Sequence, residues 1–159
     1  MAPMKIGEIC VIGIGNEYRG DDAAGLLAVR RLKGKGLSGT AIFEMDGETT
    51  ALMDAMNNHS HVILIDAMQS GSQVGTVTRF DAGTHPLPST DFRCSTHAIS
   101  LSETIELARA LNKLPRHVIV YGIEGSRFEP GSAVSPEVVE VLMNTVEQVS
   151  HEIQLLNQD

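Results

Sequence analysis

The chain has 159 residues, enough for one domain that buries a full hydrophobic core without disulfides or a structural metal. With 42% hydrophobic and 20% charged residues it reads as globular rather than disordered or fibrous, and a formal net charge of -8 argues against a nucleic-acid partner, whose phosphates need clustered Lys and Arg. No apolar run approaches the roughly 18 residues of a membrane-spanning helix, and MAPMKIGEICVIGIG places an acidic residue in its apolar run and lacks a small-residue cleavage site. The expectation is therefore a single cytoplasmic domain over 1–159, monomeric, with no membrane association.

Short apolar runs alternate with segments of helical period, the pattern of an α/β fold. The first run, EICVIGIG, predicts a strand at 8–15 with Cys10 inside it. The turn that follows, in VIGIGNEYRGDDAAG, starts like a dinucleotide site: Gly13 and Gly15 fit a Gly-x-Gly-x-x-Gly pattern, but Tyr18 stands at the next required position. Asp21 and Asp22 also place negative charge where phosphate would sit. For Asp21 the sequence favours a role as cap or first-turn residue of a helix at 22–33. Capping needs no second carboxylate, so Asp22 is the stronger functional candidate. The basic cluster RRLKGKG reads as a solvated helix end.

A second strand is expected at 40–46, ending at Asp46, which imitates the acidic residue that grips a ribose and keeps a dinucleotide module as the alternative reading. A helix at 49–57 and a strand at 61–68 follow. Asp66 ends this third strand in ILIDAM, after an apolar run that should be buried, so it is no ordinary solvated charge; its bland reading is a turn residue bonded to backbone. Only QSGSQVG separates this strand from the next, at 76–81, whereas a parallel crossover needs a dozen residues or more. The fourth strand should be antiparallel and at an edge.

The stretch 82–100 is long for a mere connection and carries Cys94 and His97. Cys10 and Cys94 lie in different contexts and read as two free thiols. Ser100 with Glu103 forms a capping box for a helix at 100–112. A strand at 117–125 leads into IEGSRFEPGSAVSPE, and Ser135 before Pro136 marks the start of a helix at 136–156. That helix carries Val138, Leu142, Val146, Val149, Ile153 and Leu156 on one face, a core stripe. The whole predicts a three-layer α/β sandwich: a five-stranded, mostly parallel twisted sheet with one antiparallel edge strand and helices on both faces.

In such a sheet the carboxyl ends of the strands line the ligand crevice. Asp22, Asp66 and His97 would meet there as two oxygens and one nitrogen, a set suited to a divalent metal such as Zn²⁺ or Ni²⁺. His59, His61, His85, His117 and His151 fall near turns or helix surfaces and are assigned no role. A rival chemistry uses Cys94 as nucleophile with His97 as base, but no helix amino end or cation is evident to lower the thiol pKa.

GIGNEYRGDDAAG, ILIDAM, STHAISL and YGIEGSRFEPGSAVSPEV, in that order, resemble the hydrogenase maturation proteases, and the resemblance spans Val11 to the last helix. It implies an α/β aspartyl-type endopeptidase that removes the carboxyl-terminal extension of a nickel-iron hydrogenase large-subunit precursor. The residues it implies for both metal contact and catalysis match Asp22, Asp66 and His97. The nickel is implied to be recognised in the precursor, with Zn or Cd able to occupy the site in vitro. Where family members often have Gly after the acidic pair, this chain has Ala23 and Ala24, which implies an earlier or firmer helix start. Glu17, Tyr18 and Arg19 are placed to tune which precursor is accepted, and Glu124 reads as structural.

Overall fold

The computed structural model describes residues 9–92 and 99–158. Its strands are β1 (Ile9–Ile14), β2 (Thr40–Met45), β3 (His61–Met68), β4 (Val77–Asp81) and β5 (His117–Glu124). Its helices are α1 (Ala24–Lys33), α2 (Thr49–Asn57), α3 (Leu101–Ala110) and α4 (Pro136–Leu156), and one 3-10 turn, Gly20–Ala23, precedes α1. The strands form one sheet in the order β2-β1-β3-β5-β4. The first three pairings are parallel, and β4 runs antiparallel to β5 at the edge, as the short 69–75 connection requires.

Period-two alternation divides the sheet between two cores. Cys10, Ile12, Ile14, Val62, Leu64, Val118 and Val120 pack with Leu52 and Met56 of α2 and Ile105 of α3. Val11, Ile63, Ile65, Ile119, Tyr121 and Ile123 pack with Val29 and Leu32 of α1 and with the Val138, Leu142, Val146, Val149 and Ile153 stripe of α4. Burial pushes the Cys10 thiol up to about 12, so it behaves as a small core hydrophobe. No helix among the described residues is long and apolar enough to cross a membrane.

From β1 the chain passes to β2 on one side, and from β2 it crosses back through α2 to β3 on the other side of β1. The gap between the carboxyl ends of β1 and β3 is thus the topological switch point, where an open α/β sheet has its crevice. What brings α1 down onto this gap is a pair of glycines. A Cβ on Gly25 would lie 2.2 Å from the Ile65 carbonyl oxygen and 2.4 Å from that of Ile14, and one on Gly13 would lie 2.3 Å from the Gly25 oxygen. The colliding atoms are backbone, so no rotamer change relieves them. The glycine this packing demands stands three residues after Asp22, while Ala23 and Ala24 are buried without conflict.

Helix starts differ in detail from expectation. Helical winding begins at Gly20, two residues early, but as a 3-10 turn, and regular α-helix begins only at Ala24. Ser100 caps α3 as expected, accepting from the Glu103 N–H at 3.3 Å. Ser135 occupies the capping position of α4 but makes no side-chain cap bond, because its hydroxyl is used elsewhere. His61 and His117 open β3 and β5 and stack with ring centroids 4.5 Å apart.

Gly25→Ala should destabilise the protein by about 3 kcal/mol or prevent folding. Gly34→Ala, whose new methyl would come no nearer than 3.3 Å to its neighbours, should change stability by less than about 1 kcal/mol. Urea denaturation of both variants checks this.

Candidate active site

Two adjacent carboxylates on the 3-10 turn have opposite surroundings. Asp21 is fully buried and does not cap α1. It accepts four hydrogen bonds from the 126–135 segment: Ser126 N–H at 2.8 Å, Arg127 N–H at 3.0 Å, Ser135 N–H at 2.6 Å and the Ser135 hydroxyl at 2.7 Å. Burial would raise its pKa, but these donors outweigh burial and hold the carboxyl below its usual value. Asp21 N–H in turn donates to the Arg127 carbonyl at 2.7 Å.

The same segment is fastened at further points. Gly131 N–H donates to the Tyr18 carbonyl at 2.7 Å, and Arg19 Nε donates to the Phe128 carbonyl at 3.1 Å. Gly20, with φ 56, takes a left-handed conformation where any Cβ would lie 2.3 Å from the Arg127 oxygen. Glu124, 2% exposed, does similar work on the other side. It accepts from Ser70 N–H, the Ser70 hydroxyl and Ser72 N–H, which ties the 69–72 turn to the end of β5. Glu124 thus has a structural role in holding that turn.

Asp22 is 5% exposed and has no such donor set. Burial pushes its pKa up to about 6, opposed only by the nearby Arg19 charge and one backbone hydrogen bond from Asn16. Asp66 sits within β3, two residues before its end rather than at it, on the side of the strand shared by Leu64 and Met68. It is 8% exposed. Burial and then the Asp22 charge raise its pKa well above the ordinary value, with a single backbone hydrogen bond, at Ala67, opposing them. The 3-10 turn packs on β3, so the two carboxylates face one another's field at the switch point.

Among the described residues no group of three or more His, Cys, Asp or Glu side chains is placed to hold a metal ion. His97 and Cys94, the remaining expected participants, lie outside the described residues. The chain that leads to them is placed at this edge: Gln69 N–H, one residue past β3, donates to the Asp91 carbonyl at 2.8 Å, and Phe92 is buried against Phe80.

The dinucleotide reading gains nothing from the structure. Asp46 is exposed and accepts from the Glu48 N–H at 3.0 Å in the turn before α2, and Asp22 occupies the place a phosphate would need. Glu17 is drawn away to Arg30, at 3.2 Å, while Tyr18 projects from the rim at 73% exposure. Sequence reasoning missed the pinning roles of Asp21 and Ser135. Their partners lie more than a hundred residues apart in sequence, and the only hint was an acidic pair in which one member was superfluous as a cap.

The family model described as hydrogenase maturation protease matches residues 29–152. Among curated protein sequences none matches. Solved structures similar to this chain include the hydrogenase maturating endopeptidase HybD from E. coli, with TM-score 0.70, 24% identity and coverage of 92% of this chain and 91% of that one. Another is the [NiFe] hydrogenase maturation protease HycI from Thermococcus kodakarensis KOD1, with TM-score 0.69, 21% identity and 91% coverage of each chain. A third is an endopeptidase from Escherichia coli, with TM-score 0.72, 22% identity and coverage of 89% and 88%.

The two neighbours should respond oppositely to loss of charge. Asp21→Ala takes the acceptor from four donors, the two of Ser135 buried, and should cost about 3 kcal/mol. At pH 7.5 Asp22 is ionised against its raised pKa, which burdens the fold, so Asp22→Asn should be neutral or stabilising by about 1 kcal/mol. Urea denaturation at that pH measures both.

Proposed function

This chain belongs to the hydrogenase maturation protease family and is a peptidase, and we propose that it cuts the carboxyl-terminal extension from a nickel-iron hydrogenase large-subunit precursor once nickel is in place. In this reading Asp22, Asp66 and His97 are the residues that meet the nickel, and the precursor is the partner. The observation that carries it is the pair of buried carboxylates at the β1–β3 switch point, both with raised proton affinity and neither with a set of hydrogen-bond donors.

The donor chemistry fits a divalent ion. Two carboxylates held together in a low-dielectric crevice repel one another, and a doubly charged cation relieves that repulsion as neutral hydrogen-bond donors cannot. An imidazole from His97 would add the nitrogen ligand common to zinc and nickel sites, and Zn or Cd would suit the same set in vitro. The ion, brought as part of the substrate, supplies polarisation of the scissile carbonyl.

The protein's own contribution is positioning. Asp22 rides on a turn locked by Asp21 to the 126–135 segment, and Asp66 rides on a central strand, so neither carboxylate needs to be ordered on substrate arrival. The 126–135 segment and the 69–72 turn are each anchored by a buried carboxylate, so an extended peptide that reaches them would meet fixed loops. A checkpoint follows from this arrangement: a precursor without metal presents no cation to the pair, and its peptide is not positioned for cleavage.

Purified precursor with and without nickel, incubated with the protein and weighed by intact mass, tests the proposal. Only the nickel-loaded precursor should be shortened. Asp22→Asn, Asp66→Asn and His97→Gln should each abolish shortening while melting no lower than wild type, and Cys94→Ser should retain it. Processing at the wild-type rate by both aspartate variants would overturn the site assignment.

A further inference from the structure

The acidic pair has a cation on its own turn. Asp22 N–H donates to the Arg19 carbonyl at 3.1 Å, so Arg19 and Asp22 close one turn, and the Arg19 charge is near enough to favour the ionised form of Asp22. The guanidinium does not wander: its Nε is fixed to the Phe128 carbonyl at 3.1 Å, on the segment that Asp21 locks in place. Of the two acidic residues two positions away, Glu17 is occupied by Arg30 and Asp21 by the donors of the 126–135 segment. Among the described residues Arg19 makes no ion pair within 4.0 Å, so its charge bears on the crevice through space.

A fixed positive charge beside an acidic crevice has two effects of the same origin. It offsets part of the mutual repulsion of Asp22 and Asp66 in the free protein, and it repels any cation that would enter. A free aquo ion meets that repulsion with only two or three ligands to offset it. A metal fixed in a precursor arrives with the binding energy of a whole protein surface. Taking Asp22 as a metal contact, we propose that Arg19 weakens the free protein's capture of divalent ions, so that the site favours metal presented within the precursor. Arg19 is then a positioning and selectivity residue that acts through its charge on Asp22.

Tag-free protein titrated calorimetrically with NiCl₂, and separately with CdCl₂, at pH 7.5 tests this without reference to cleavage. Arg19→Gln should bind one equivalent about tenfold more tightly than wild type, while Arg19→Lys, which keeps the charge, should stay within about threefold of wild type. Asp22→Asn added to Arg19→Gln should remove the gain. Arg19→Gln binding no more tightly than wild type, including no binding by either, would overturn the proposal, as would Arg19→Lys matching Arg19→Gln. If Asp22→Asn abolishes wild-type binding while Arg19→Gln changes nothing, the Arg19 role falls and the Asp22 assignment stands. A gain in Arg19→Gln that survives Asp22→Asn would show that the ion sits elsewhere and would overturn both.

Discussion

Four hydrogen bonds converge on the carboxylate of Asp21, and the geometry of the crevice depends on them. They fasten the 126–135 segment to the turn after β1, which fixes the start of α4 through Ser135 and leaves Asp22, the next residue, facing the switch point. A buried carboxylate is stable when donors surround it. Asp21 has them, Glu124 has them, and each holds down a loop. Asp22 and Asp66 lack them, though they are nearly as buried.

That contrast separates the acids that hold loops from the pair assigned to the metal in the proposed function, without any appeal to motifs. Holding two like charges in a crevice weakens the fold, and such an arrangement persists where the surrounding structure fixes it and a function uses it. Here the surroundings are rigid by construction. Gly13 and Gly25 let α1 touch the backbone of β1 and β3, and β3 is paired on both sides, so neither carboxylate has a flexible element through which to escape the other. Arg19 supplies a partial counter-charge from a fixed post rather than a contact ion pair.

Much of the fold was legible in the sequence because its signals are local. Each strand is a short apolar run between turn residues, the 69–75 connection is too short for a parallel crossover, and the α4 stripe has helical period throughout. Asp22 and Asp66 could be picked out because one was superfluous as a cap and the other sat in an apolar run. What Asp21 holds in place was not legible. That role rests on Ser126, Arg127 and Ser135, residues 105 to 114 positions away from Asp21, and no local pattern reports such a contact. For the same reason Ser135 looked like a helix cap, although its hydroxyl is drawn to Asp21. The 3-10 start before α1 was hidden too, since it follows from Gly20 packing on the Arg127 carbonyl.

The central claim is that Asp22 and Asp66 touch the metal of the precursor. Nickel K-edge absorption of the nickel-loaded precursor, recorded alone and rapidly frozen after mixing with the protein, tests it at the metal itself. The account predicts that wild-type protein adds oxygen or nitrogen scatterers to the nickel environment, and that a variant carrying both Asp22→Asn and Asp66→Asn binds the precursor without that change. A nickel spectrum unaltered by a stoichiometric complex with wild-type protein would contradict it.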